Sequence, residues 1–290
     1  MVEGVNLARI CFLLAVAALV GNGLDARRDA FEGTIVEVDR AGGRLLLTPA
    51  DGEERVWAEA TRGDLRIARE GSSIRGEIFP YREGWRIEAV WPNDPMQNSI
   101  IERIGRRLRN DTEIRSPRPF RGIGESIPRF ALFRQDGTVF ESRSLRGNAA
   151  VINFIFTRCL DPNMCPAATK RMVRLQEAVR EAGISDVEFV SITLDPEYDT
   201  PGIFAEYARS HGVSGDNFHF LTGPVQIVED LKNQLGVLAE PDENEIIRHT
   251  LVTILVDPKG TIVYQVPGSF WSVEDFLARI ERAISGDGTY

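Results

Sequence analysis

The chain has 290 residues, enough for one large or two ordinary domains, and its 43% hydrophobic and 27% charged residues are the balance of a globular protein. A formal charge of −9 excludes a dominant nucleic-acid surface. The three cysteines, Cys11, Cys159 and Cys165, are too few for a disulfide scaffold and suit one redox pair or one metal site.

Arg9 precedes an apolar run over residues 10–20, and a polar stretch over 21–25 follows. The run fits the apolar core of an export signal and is short for a membrane span of about 20 residues. Residues 1–26 are therefore expected to be a signal peptide or short anchor. The rest of the chain is then placed in the periplasm or another extracytoplasmic space, held at the inner membrane if the segment is retained.

Residues 30–93 alternate apolar and polar side chains in five short runs, at 34–38, 44–48, 55–57, 73–78 and 85–90. Gly42-Gly43, Asp51-Gly52, Gly71 and Glu83-Gly84 punctuate them. This pattern predicts a small all-β, OB-like barrel domain. Gly33-x-Ile35-x-x-Val38-Asp39 resembles the opening of CusF-like copper-binding barrels over about one strand. That family binds copper with Met and His beside a Trp, and neither Met nor His occurs between residues 31 and 95 here. The barrel is therefore read as a structural or partner-binding module, with Trp57, Trp85 and Trp91 in its core or at its rim. In residues 94–119, Ile100, Ile101, Ile104 and Leu108 recur at helical spacing opposite Arg103, Arg106, Arg107 and Arg109. This is an amphipathic connecting helix with a solvated arginine face, ended by Ser116-Pro117-Arg118-Pro119.

From residue 120 to 290 strand-like and helical runs alternate. Residues 149–156 and 187–194 read as strands buried on both faces, and 218–221 as a short extended segment. Helices are expected around Met172 to Val179, Ile203 to Ala208, 227–235 and 273–284. Residues 250–256 and 261–265 flank the turn Asp257-Pro258-Lys259-Gly260 as a hairpin. The order βαβα then ββα is that of an α/β thioredoxin-like domain.

Chemistry concentrates in Phe156-Thr157-Arg158-Cys159-Leu160-Asp161-Pro162-Asn163-Met164-Cys165-Pro166. Cysteines between a buried strand and a helix start meet the partial positive charge of the helix N-terminus, which favours the thiolate, at once nucleophile and metal ligand. The approach to the 250–256 strand lies beside this loop in the inferred fold. Thiol oxidoreductases carry a cis-proline there, whereas this chain has no proline between Pro241 and Pro258 and has His249 instead. Two thiolates and an imidazole make a soft site suited to Cu(I) and tolerable to Cu(II) or Zn. Met164 is a candidate weak thioether ligand. Asp195-Pro196 and Asp199 are read either as an acidic loop near the metal that supports it or docks a partner, or as a turn in which Asp199 or Thr200 caps a helix with Pro201 at its first position. His211 and His219 are expected in or near loops at the surface.

The segment from Gly124-Glu125-x-x-Pro128-x-Phe130-x-Leu132 onward resembles the SCO/SenC family. Leu145-Arg146-Gly147, Phe154-Ile155-Phe156-Thr157, Ser191-Ile192-Thr193-Leu194-Asp195-Pro196, Asp199-Thr200-Pro201, Leu221-Thr222-Gly223, His249-Thr250 and Asp257-Pro258-x-Gly260 follow in the family's order, across roughly residues 120–285. The resemblance implies a periplasmic or membrane-anchored protein binding copper, Cu(I) or Cu(II), through Cys159, Cys165 and His249. It also implies a copper-acceptor partner such as a cytochrome c oxidase subunit, during assembly of whose copper centre such proteins serve as metallochaperones. The family's usual interval is C-x3-C; here it is C-x5-C, with Pro162 inside the loop. A longer loop still closes at a cost of tenths of a kcal/mol. The alternatives are a metal-independent thiol–disulfide oxidoreductase or redox sensor using Cys159 and Cys165, a peroxidase, and an interaction module without chemistry. Thr157, only two residues before Cys159, departs from the P-x-x-x-T-x-x-C context of peroxidatic cysteines.

Overall fold

The computed structural model describes residues 27–52, 54–241 and 247–286. The expected signal or anchor, residues 1–26, lies outside them. Among the described residues no helix is long and apolar enough to cross a membrane.

The first part is a closed barrel. β1 (Asp29–Asp39), β2 (Arg44–Pro49), β3 (Val56–Glu59), β4 (Ser73–Tyr81) and β5 (Gly84–Pro92) close in the order β1-β2-β3-β5-β4, with β1 bonded to both β2 and β4. Alternation puts Phe31, Ile35, Leu45, Leu47, Ala58, Ile74 and Ile87 inside as a core of their own. Closure leaves this sheet no unpaired edge. A short helix, α1 (Arg62–Ile67), interrupts the predicted run of strands between β3 and β4.

α2 (Pro95–Arg115) starts at the N-cap Asp94, whose side chain accepts the Gln97 N–H, with Pro95 in its first turn. It is more than a connector. Ile101, Ile104 and Leu108 are buried in the larger core together with Trp91, and Gly105 packs against Ile227. Its arginine face is not wholly solvated, since Arg109 reaches the buried Asp230 at 3.1 Å.

The larger core surrounds a seven-stranded sheet. In chain order come β6 (Ala131–Arg134), β7 (Val139–Glu141), β8 (Ala149–Ile155), α3 (Cys165–Glu181), β9 (Val187–Thr193), α4 (Pro201–Ser210), β10 (Phe218–Thr222) and α5 (Val225–Leu235). β11 (Ala239–Pro241) and β12 (Ile247–His249) form a separate ribbon, followed by β13 (Val252–Val256), β14 (Ile262–Pro267) and α6 (Val273–Ser285). The sheet order is β14-β13-β8-β9-β10-β6-β7. β8, β9 and β10 are parallel, and β13 runs antiparallel to β8. The unit β8-α3-β9-α4, closed by β13-β14-α6, is the expected thioredoxin-like order. Every residue of β8 is buried, which explains its unbroken apolar reading.

One histidine departs from expectation. His219 lies on β10 and is only 8% exposed, with Nε2 2.9 Å from Glu188 on β9 and its ring against Phe140. The carboxylate on the neighbouring strand supplies the polar partner that makes its burial tolerable. His211, at the C-terminal end of α4, is half-buried and packs on Tyr207. Trp57 and Trp85 are half-buried in the barrel wall.

Candidate metal centre

β8 ends beneath the cysteine loop and α3 begins at its far side. Cys165, the first residue of α3, is fully buried, and Pro166 behind it has a fixed φ and no N–H to leave unsatisfied. Cys159 is half-exposed, and both cysteines are free thiols. His249 ends β12 opposite Ala239 of β11 and enters from the other side, its ring edge-on to Phe156 at 5.2 Å. His249 Nε2 stands 3.1 Å from Cys165 Sγ, and the ligand atoms of Cys159, Cys165 and His249 all lie within 4.8 Å of one another. The three residues singled out from the sequence thus converge although 84 positions separate Cys165 from His249. Met164 is half-buried and packs against the larger core.

The two sulfurs are electrostatically unequal. Cys159 is held down at about 6, chiefly because the Cys165 thiol donates to it, with further help from backbone groups of Cys165 and Asp161. Cys165 is pushed up by that same bond and by burial. Cys159 is therefore the thiolate and Cys165 the proton holder at neutral pH. Two sulfur donors and one imidazole, two of the three accessible from outside, form a donor set fitted to a soft cation.

A support that sequence reasoning only half captured holds the loop's first end. The Arg158 guanidinium donates twice to Asp195, at 2.9 and 2.6 Å, and stacks on Tyr198. Asp199, fully buried, accepts from the Thr157 N–H, the Thr157 hydroxyl and the Thr193 hydroxyl. Burial pushes Asp199 up to about 7 against these donors. The structural reading of this segment holds, since Thr200 is the N-cap of α4 and accepts from Ile203 N–H, while Asp199 braces the start of the cysteine loop. On the other side Ser269 donates to the Asn163 carbonyl.

Comparison with known proteins places this arrangement. The SCO1/SenC family pattern matches residues 122–285, more than half the chain. The SCO1 protein homolog of Bacillus subtilis is 32% identical over 149 residues, covering 50% of this chain and 76% of that protein. A candidate copper-binding protein of Stutzerimonas stutzeri is 28% identical and covers 47% of this chain and 67% of its own length. Among solved structures, BsSco, described as carrying a disulfide switch and as a member of the Sco family of cytochrome c oxidase assembly proteins, superposes with a TM-score of 0.50 at 28% identity, over 57% of this chain and 96% of that one. With its thioredoxin-like sheet, its two loop cysteines and its facing histidine all inside the matched segment, the chain belongs to the SCO1/SenC family.

Proposed function

We propose that the protein carries Cu(I) on Cys159, Cys165 and His249 and passes it to an acceptor protein during assembly of a copper centre such as that of cytochrome c oxidase. The observation that carries this reading is the convergence of two sulfurs and one imidazole nitrogen within 4.8 Å around a half-exposed thiol. The copper-binding name of the Stutzerimonas relative and the assembly role in the description of BsSco support it. Copper is cargo here. An acceptor with cysteine ligands reaches the ion from the Cys159 side and takes it by ligand exchange, which needs no net redox step. Exchange with an external disulfide, which is reduced to a thiolate and a thiol as it takes the two electrons and the one proton held by Cys165, joins the sulfurs and removes two of the three donors. We place this activity outside the cytoplasm, and fusion of residues 1–30 to a reporter active only after export tests that placement.

The test is copper stoichiometry. Residues 28–290, reduced and titrated anaerobically with Cu(I) against a competing chelator, are expected to hold one copper per chain. His249→Ala, which removes one of the three donors, is expected to weaken binding by roughly a hundredfold. Absence of competitive binding in the unsubstituted protein sinks the reading. One observation favours a second reading in that event: Cys159 is half-exposed, and the Cys165 thiol beside it holds its pKa down at about 6, which suits an attacking thiol. The pair is then a thiol–disulfide couple, and its reduction potential against a glutathione series decides whether it sits among redox catalysts.

A further inference from the structure

The barrel rests on the same helix whose start anchors the metal loop. α1 crosses α4 where Gly63 meets Gly202. A Cβ on Gly63 would lie 1.9 Å from the Gly202 carbonyl oxygen, and one on Gly202 would lie 2.1 Å from Asp64 Oδ1. No side chain fits at this crossing, so the two backbones touch directly. Asp64 is 3% exposed, holds the Thr61 hydroxyl at 2.7 Å through Oδ2, and turns Oδ1 toward Gly202 with no hydrogen-bond donor of its own. Arg66 and Glu206 pair across the same crossing at 3.7 Å.

The contact continues toward the metal centre without a gap. α4 opens at its N-cap Thr200, directly after the segment whose Asp195 and Asp199 grip Arg158 and Thr157, the two residues before Cys159. The cysteine loop carries a turn of its own, in which Asp161 accepts from the Asn163 and Met164 N–H groups, but it packs against little. Residues 160–163 are all exposed, and Leu160 is 92% exposed. Its position is set at its ends, by α3 and the Ser269 bond on the Cys165 side and by the 195–199 segment on the Cys159 side.

We propose that the barrel is a positioning element for the metal loop: by clamping the first turn of α4 it fixes the 195–199 segment, and through Thr157 and Arg158 it sets where the Cys159 sulfur stands relative to Cys165 and His249. This gives the barrel a task without a ligand of its own. The copper consequence rests on the function proposed above, whereas the effect on the Cys159 thiol does not.

The experiment places a methyl in the crossing. Gly63→Ala in the full chain is compared with Gly105→Ala, where a Cβ would lie 2.6 Å from Ile227 Cδ1 in the α2–α5 contact, away from the 195–199 segment. The alkylation rate of Cys159 in the reduced, metal-free protein is read by peptide mass, together with Cu(I) affinity and melting temperature. Gly63→Ala is expected to change the alkylation rate by about threefold or more and to lower Cu(I) affinity by about tenfold, the size of losing an outer support of a ligand, while Gly105→Ala leaves the rate in place. An unchanged alkylation rate in a Gly63→Ala protein with a lowered melting temperature overturns the proposal, as do equal changes in Gly105→Ala. If Gly63→Ala does not fold, Asp64→Asn keeps the shape of the crossing while setting an amide where an acceptor faces α4. It is expected to shift the rate in the same direction, and no shift overturns the proposal. Should the unsubstituted protein bind no copper while the alkylation rates behave as expected, the chaperone reading fails and the positioning role stands.

Discussion

Replacing Cys165 with alanine is expected to lower Cu(I) affinity by at least about a hundredfold, since tight protein metal sites draw roughly 3 kcal/mol from each ligand. Cys165 is fully buried at the start of α3 with His249 Nε2 3.1 Å away, so no other side chain of the loop moves in as a substitute without unwinding the helix start. The same substitution acts on Cys159 without any metal. The Cys165 thiol is the main cause holding Cys159 at about 6. With that donor gone, Cys159 returns toward the ordinary thiol value of about 8.5. The midpoint of the alkylation pH profile therefore moves up, and at neutral pH the fraction present as thiolate falls. An alkylation midpoint that stays put shows that the helix start or the backbone bonds, rather than the second cysteine, ionise Cys159. His249→Ala serves as the contrast, since it removes a ligand while keeping the thiol pair.

Much of this architecture is legible in the residues, and the parts that are not have physical reasons. The sheet centre announces itself because β8 is buried along its whole length and so reads as a continuous apolar run. The barrel strands alternate because one face of each is inside, except at the end of β5, where Val90 is in the barrel core and Trp91 beside it is buried in the larger core. α1 is invisible to periodicity: it has six residues, one of them Gly63, and it forms because it is packed against α4. The β6–β7 hairpin and the β11–β12 ribbon are three or four residues per strand, too short to display alternation. His219 reads as a surface residue because its partner Glu188 is 31 positions away. At the centre, ligand identity is legible because soft-metal chemistry admits few residue types and the strand-to-helix turn marks where they act. The support behind them is not, because Asp199 reaches Thr157 across 42 positions while Thr200 beside it makes the local cap that sequence rules recognise. Local rules find caps; nothing local finds a brace.

Asp199→Asn is expected to remove a contribution to stability that falls with rising pH. Burial lifts this carboxyl to about 7 in the folded protein, well above the roughly 3.9 of an unfolded chain. The folded state therefore binds the extra proton between those values. Its contribution is fully present below about pH 4 and is lost as the pH rises through about 7, a loss of about 3 kcal/mol between about pH 5 and about pH 8. Asp64, lifted to about 6 by the same cause, tilts the curve in the same sense, whereas Cys159, held down at about 6, tilts it the opposite way; both are unaltered in the variant, so the difference between the two proteins isolates Asp199. Urea unfolding at the two pH values gives the comparison, and a variant with the full original slope sinks the assignment. Asp199→Ala separates charge from bracing. It leaves the Thr157 N–H and the Thr157 and Thr193 hydroxyls without their acceptor, at a cost of about 2–3 kcal/mol even at low pH. Asparagine keeps the uncharged shape and one acceptor, so it retains more stability than alanine at low pH. If Thr157 is what carries the brace to Cys159, alanine perturbs the Cys159 alkylation rate more than asparagine does. Equal alkylation rates in the two variants place the role of Asp199 in folding alone.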